Sequence, residues 1–285
     1  MTGSLLTFVI PVRHQDNAAD WGLLTQRLQQ TIRSVSAQDS TDWRGVVVAN
    51  EGADLPAMPP NWEVVRVTFA PNPLHDRGSA DKETFYDAFR LDKGRRVLAG
   101  MLAARDSAYF MIVDDDDFVS RRLVSYVGAN KEQIGWHMGV GYIWEDGAGI
   151  VFAHDDFSRI CGTSHIIRSD IYDLPETFAE ASEDYIKSML GSHVTLPAKL
   201  KGAGTPLPAL PFPGAVYRIG HAGAHSKSAG LMAQIFSKEN RDRNWLQSVV
   251  RMSRIRLLTK SLRAEFFAAS PAPQAKRQFG ARVAS

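Results

Sequence analysis

The sequence predicts an α/β protein with a mostly parallel central sheet flanked by helices and a helical C-terminal tail. Three observations carry that prediction. Short continuous apolar runs, Leu5–Val12 (LLTFVIPV) and Gly45–Ala49 (GVVVA), have the pattern of strands buried on both faces. Between them, Trp21–Ala37 repeats Leu23, Leu24, Leu28, Ile32 and Val35 at helical spacing. A third such run, Tyr109–Val113 (YFMIV), leads directly into Asp114-Asp115-Asp116-Asp117. Strands alternating with helices point to parallel pairing, and ligands of such sheets sit beyond the carboxyl ends of the strands.

The remaining elements follow in order. Trp62–Phe69 alternates apolar with charged residues and reads as a strand after a proline-rich turn at Leu55–Pro60. Pro71–Arg90 reads as a long polar loop with a partial helix, and Gly94–Ala104 as a helix. Beyond the aspartates come a helix near Arg121–Val127 and strands near Val140–Trp144, Gly149–Ala153 and Thr163–Ile167. Glu183–Leu190 and Leu196–Lys201 read as helices, and Ala215–Ile219 as a last strand running into Gly220-His221. Arg241–Phe267 reads as a basic amphipathic helix or helix pair, and Ser270–Ser285 has the composition of a disordered end. The expected organisation is one α/β domain over 1–230 and a basic helical tail over 231–285.

With 285 residues, 44% of them hydrophobic and 22% charged, the chain is long enough for a substantial core without covalent staples. Its single cysteine, Cys161, cannot form an internal disulfide, so a reducing, cytoplasmic setting is expected. Cys161 itself reads as a small buried residue. No stretch reaches the ~18 apolar residues of a membrane span, and Leu5–Ile10 lacks the flanks of a signal peptide. The net charge is +2, yet Arg241–Ser285 alone carries ten Lys/Arg against two acids. That asymmetry suits either peripheral contact with an anionic membrane or a helix packed on the domain or on a second subunit. Nucleic acid is not expected, because no recognition motif accompanies the basic tail.

Four adjacent carboxylates at a strand end repel one another, and their proton affinities rise unless something positive neutralises them. Mg²⁺ and Mn²⁺ suit the position, binding through one or two carboxylates together with substrate phosphates. An acidic helix N-terminus is the structural alternative.

In these features the chain resembles the GT-A-fold, nucleotide-diphospho-sugar glycosyltransferases, close to the large family-2 group, over roughly Leu5–Ser226. Thr7–Val12 resembles that family's opening strand with its proline. Val46–Gly52 (VVVANEG) stands where the family has an apolar strand ending in Asp-Asp-Gly-Ser. Lys93–Ala104 resembles the helix before the metal strand, and Tyr109–Val119 the strand with its DXD motif. The resemblance implies that Pro11, Val12 and Arg13 line the nucleoside site and that Asn50 or Glu51 faces the base or ribose. It implies that Lys93 and Arg95 contact the nucleotide or its diphosphate, that Asp114 and Asp115 lie against the nucleotide, and that Asp116 binds the metal, with Asp117 as an accessory. It also implies a histidine after the last strand completing the metal shell, which selects His221 ahead of His225, with Mn²⁺ or Mg²⁺ as the ion.

For the base, two positions compete. Glu183-Asp184 has the family's usual letters. Ser192-His193 has the surroundings, with Leu196, Leu200 and Gly204 at three, seven and eleven residues. Histidine can act as a base near neutrality. The implied activity is sugar transfer from a nucleotide-diphosphate donor, a UDP-sugar favoured, to a glycan or lipid-linked acceptor. The alternatives are a degenerate sugar-nucleotide-binding module, favoured by the departures at Asn50-Glu51 and Ser192-His193, and a sugar nucleotidyltransferase. The latter is disfavoured because no glycine follows the first strand until Gly22. A homo-oligomer is compatible with the tail.

Overall fold

A computed structural model describes residues 3–75, 81–220 and 252–268. Its main sheet takes β1 (Leu6–Pro11), β2 (Trp43–Asn50), β3 (Trp62–Val67), β4 (Tyr109–Ile112), β6 (Gly135–His137) and β9 (His165–Arg168) in the order β3-β2-β1-β4-β9-β6. The β3-β2-β1-β4 part is parallel, and β9 and β6 join antiparallel. The fold is therefore the expected α/β class with a mostly parallel central sheet.

Helix α1 (Trp21–Ser36) covers one face of this sheet and α2 (Lys82–Ala103) the other. Asp20 caps α1 by accepting from the Leu23 amide at 2.8 Å, and Asp81 caps α2 by accepting from Glu83 and Thr84. Side chains alternate across the pleat. Phe8, Ile10 and Val47 pack toward α1, whereas Val9, Val46 and Val48 pack toward α2. Gly100 lets α2 approach closely: a Cβ there would lie 2.7 Å from Val9 Cγ1 and 2.8 Å from Val48 Cγ2.

A second, smaller sheet is built from β5 (Phe118–Val119), β7 (Gly141–Glu145), β8 (Ile150–His154), β10 (Ala215–Ile219) and β11 (Ile255–Leu257), in the order β11-β8-β7-β10-β5. Shorter helices α3 (Leu123–Ala129), α4 (Phe157–Ile160), α5 (Glu183–Tyr185) and α6 (Leu196–Gly202) connect the strands. The α5 turn continues as a wide π turn over Ile186–Leu190 that packs against α2.

Three expectations need correction. Residues Lys82–Arg90, read within a loop, are the first two turns of α2, because the Asp81 cap starts the helix well before the apolar periodicity becomes visible. The strands β5 and β6 were not anticipated, being only two and three residues long. The amphipathic helix or helix pair read over Arg241–Phe267 is interrupted by a strand. Residues 241–251 lie outside the described part, Ile255–Leu257 is a strand antiparallel to β8, and α7 (Lys260–Phe266), capped by Thr259, is helical.

The described part of this segment packs on the smaller sheet. Phe266 and Phe267 pack on Tyr142, Phe118 and Trp144, and Glu265 pairs with Arg122 at 2.7 Å. The proposed boundary at 230/231 lies outside the described residues. Among the described residues no helix is long and apolar enough to cross a membrane.

Replacing Gly100 by valine forces a branched side chain between α2 and the sheet, and should lower stability by about 1–3 kcal/mol. Gly202, where a Cβ meets nothing within 4 Å, is the control. A thermal melt of Gly202→Ala should match wild type, while Gly100→Val should melt clearly earlier.

Candidate active site

The carboxyl ends of β1 and β4 open into a cavity of about 520 Å³. Pro11 and Arg13 reach it from β1, and Asp114, Asp115 and Asp116 from the turn after β4. Lys93 and Arg96 contribute from α2, Gly162 from the segment before β9, His193 from the loop after the π turn, and Arg218 from β10. Parallel pairing brings the ends of β1 and β4 to the same edge, so side chains a hundred residues apart meet there.

The path of the aspartate turn is set by Asp117. It is fully buried and accepts from Thr163 Oγ1 at 2.6 Å, Cys161 Sγ at 3.2 Å and the Arg218 backbone amide at 3.1 Å. The Asp114 amide donates to Thr163 Oγ1 at 2.9 Å. Burial, with Asp116 and Asp114 nearby, raises the Asp117 pKa well above the usual carboxylate range, and the Thr163 and Cys161 hydrogen bonds act against that rise. Cys161 is buried, as expected. Burial and the Asp117 charge raise its pKa well above that of a free thiol, so it stays protonated and inert.

The other three aspartates face the cavity in different states. Asp114 forms an ion pair with Lys93. Burial alone would lower the Lys93 pKa, but Asp114, followed by Cys161 and Asp117, outweighs it and the net shift is upward. Gly162 makes room for the pair, since a Cβ there would lie 2.5 Å from Asp114 Oδ2 and 2.6 Å from Lys93 Nζ. Asp115 is buried, 3.9 Å from Arg13, and its Oδ2 has no hydrogen-bond partner. Burial raises its pKa to about 6, opposed by Arg13 and reinforced by Asp116 and Asp114. Asp116 is half-buried and lines the cavity.

An orphaned carboxylate oxygen beside two further acids calls for a cation. No group of three or more His, Cys, Asp or Glu side chains is arranged to hold a metal among the described residues. The donor set fits a hard divalent ion that takes one or two carboxylates and completes its shell with substrate oxygens and water, rather than an ion caged by protein alone. His221 and His225 lie outside the described residues.

The remaining sequence-derived candidates are placed as follows. Val12 is buried in the core beneath the site. Asn50 is buried with its amide engaged at both ends: Nδ2 donates to Phe69 O at 2.6 Å, and Oδ1 accepts from Arg96 Nη1 at 2.6 Å. Glu51 is exposed and does not line the cavity. Arg95 also lies off the cavity, paired with Asp92 at 2.7 Å and stacked 4.5 Å from the centre of the Phe69 ring. Its neighbour Arg96, held by Asp92 and Asn50, is the one that faces in. Asp184 is exposed on α5 and is not among the lining residues, whereas His193 is.

Arg218 and His165, like Arg96, were not read as site residues from the sequence. Arg218 is 1% exposed, its guanidinium 4.5 Å from the centre of the Phe118 ring, with Nη2 bonded to Gln30. Its Nε and Nη1 have no hydrogen-bond partner among the described residues. An arginine inside an otherwise apolar strand (AVYRI) was the available signal. His165 is buried behind His193, bonded through Nδ1 to Ser164 Oγ at 3.1 Å, and a pocket of about 20 Å³ touches both histidines.

Burial first, then Lys93, lowers the His193 pKa to about 4, with Asp114 opposing. Burial, with His193 and His137 nearby, lowers that of His165 to about 3 from 6.5. The unfolded chain therefore takes up a proton at residue 165 well before the fold does. Stability is present above pH ~6.5 and is lost as the pH falls toward the depressed value. In His165→Gln that proton uptake is gone, so the stability gap between variant and wild type should shift in the variant's favour from pH 7 to pH 5. A gap that stays constant in urea titrations across that range would show that the imidazole is not held neutral.

No protein-family model matches the chain, and no curated protein matches it in sequence. Among solved structures it is similar to S. aureus TarS. TarS 1–349 in complex with UDP-GlcNAc aligns with a TM-score of 0.42 at 14% identity, covering 79% of this chain and 61% of that one. A second TarS structure gives 0.43 at 13% identity, covering 75% and 36%. TarS 1–349 in a third structure gives 0.39 at 14%, covering 75% and 60%. The chain spans less than two thirds of the length of each of these structures.

Proposed function

We propose that this chain is a GT-A-type glycosyltransferase that moves a sugar from a nucleotide-diphosphate donor, a UDP-sugar favoured, to a glycan or lipid-linked acceptor. The observation that carries the reading is the meeting, in one cavity at the ends of β1 and β4, of the carboxylates Asp114–Asp116, the cations Arg13, Lys93 and Arg218, and a neutral histidine. That is the equipment needed to hold a diphosphate and deprotonate a hydroxyl.

In this proposal Pro11 and Arg13 bound the nucleoside end, and Asp114, aligned by Lys93, contacts the ribose. Asp116 would hold Mn²⁺ or Mg²⁺, and an ion there offsets the negative charge that builds on the leaving nucleoside diphosphate. Arg218, its guanidinium held by Phe118 and Gln30, would add a fixed positive charge beside a bound anion. His193 is neutral at pH 7 and so can accept the proton of the acceptor hydroxyl. An anionic substrate beside it raises its proton affinity toward the useful range. Asp184, exposed and off the cavity, is the weaker candidate for that role.

Thermal melts with UDP, GDP, dTDP and CDP, each with and without Mn²⁺, test the donor site. At least one nucleotide should stabilise the chain in a Mn²⁺-dependent way, and Asp116→Asn should remove the Mn²⁺-dependent part. No metal-dependent shift with any nucleotide would sink the proposal. His193→Ala should keep the nucleotide shift while UDP release from a UDP-sugar falls by about 10²–10⁴-fold. Full turnover in that variant would move the role to Asp184, and binding without turnover in wild type would make the chain a sugar-nucleotide-binding module.

A further inference from the structure

The N-terminal half of α2 supplies a wall of the cavity that the donor chemistry does not use. Lys82, Phe85, Tyr86, Phe89 and Arg90 all line the cavity, at the spacing of one helix face. At a rise of about 1.5 Å per residue the stretch runs about 12 Å. The acids of the same turns are not among the lining residues: Glu83 is exposed, and Asp87 pairs with Lys187 at 2.7 Å.

The composition of this face is specific. Lys82 Nζ and the Arg90 guanidinium each lie 5.9 Å from the centre of the Tyr86 ring, and Phe85 meets that ring edge-on at 5.3 Å. Neither cation has a carboxylate partner among the described residues, and Tyr86 remains 42% exposed. The face also has a defined position. Gly191 packs so closely on α2 that a Cβ would lie 2.1 Å from the Arg90 carbonyl oxygen, so the wall starts beside Ser192 and His193. It therefore adjoins the residue that would receive the acceptor's proton, whereas Pro11, Arg13 and Asp116 come from the strand ends.

We propose that this face of α2 is the acceptor subsite, and that it takes a saccharide bearing an anionic group. The assignment to the acceptor rests on the glycosyltransferase reading above. The chemistry divides between the two residue types. The C–H face of a sugar ring covers aromatic rings, and a phosphate or carboxylate accepts hydrogen bonds from Lys82 and Arg90. An uncharged sugar leaves both cations without a counter-charge, and a bare anion leaves the rings uncovered.

The test is calorimetric titration of the full chain, with UDP and Mn²⁺ present, using glucose 6-phosphate, glucuronate, glucose and inorganic phosphate as probes. At least one charged sugar should bind about tenfold more tightly than either glucose or inorganic phosphate, and the better of the two identifies the anionic group. Tyr86→Ala should weaken that binding about tenfold, and Lys82→Gln with Arg90→Gln should erase the preference over glucose, while UDP affinity stays within about twofold. Charged sugars binding no better than glucose would overturn the subsite. So would a Tyr86→Ala variant that loses UDP as strongly as sugar, because the wall would then belong to the nucleobase. If wild type binds no UDP, the transferase reading fails on its own account. Tyr86-dependent binding of the charged sugar, measured without UDP, would still establish the anionic-saccharide site.

Discussion

A carboxylate with no access to water holds the site in shape. Asp117 accepts hydrogen bonds from the Cys161–Thr163 segment ahead of β9 and from the backbone of β10, so one side chain ties the end of β4 to both sheets. A buried polar group is tolerated only when hydrogen-bond partners surround it, and three donors do so here. With that point fixed, the turn through Asp114–Asp116 has one path available, and three further carboxylates are held together at the cavity edge. Lys93 and Arg13 offset part of their repulsion, but Asp115 is left with an unpartnered oxygen and a raised proton affinity. That residual imbalance is what a cationic ligand would relieve.

The frame of the fold was legible because its signals are long and local. The run Leu5–Val12 and the α1 stripe each span enough residues for periodicity to show, and their order implied the parallel core of the sheet. Short elements gave no such signal. β5 has two residues and exists because Phe118 and Val119 pair with β10, a contact across about a hundred positions that no local pattern encodes. The misreading at Ile255–Leu257 has a similar cause. Its apolar residues fit a helical stripe as well as a strand, and the pairing with β8 decided between them.

The site was legible where chemistry and position coincided in a few neighbouring letters. The aspartates were found because four acids follow a buried strand, and Pro11 and Arg13 because they end another. Arg95 and Arg96 could not be told apart from spacing. Helix geometry turns Arg95 onto Phe69 and Arg96 toward the cavity, and the fixed Asn50 amide then locks Arg96 in place. Asn50 looked like a ligand contact because it ends a strand, yet its hydrogen-bonding capacity goes into that support. Lys82 to Arg90 were obscured by the polar, proline-containing stretch before them. Their shared face becomes visible only once the helix is known to start at Asp81.

The span between the two ends of the Asp117 hydrogen bond sets an order of assembly. The carboxylate is 101 residues ahead of the Arg218 amide it accepts from. At a synthesis rate of about 5–20 residues per second, a nascent chain carries its four aspartates for roughly 5–20 s before the second anchor is made. During that interval the first β-α-β units can already close, because β1, β2, β3 and β4 are complete by residue 112. The acidic turn must wait with its carboxylates in water and fully charged. The loss of their hydration is deferred to the closing of the smaller sheet.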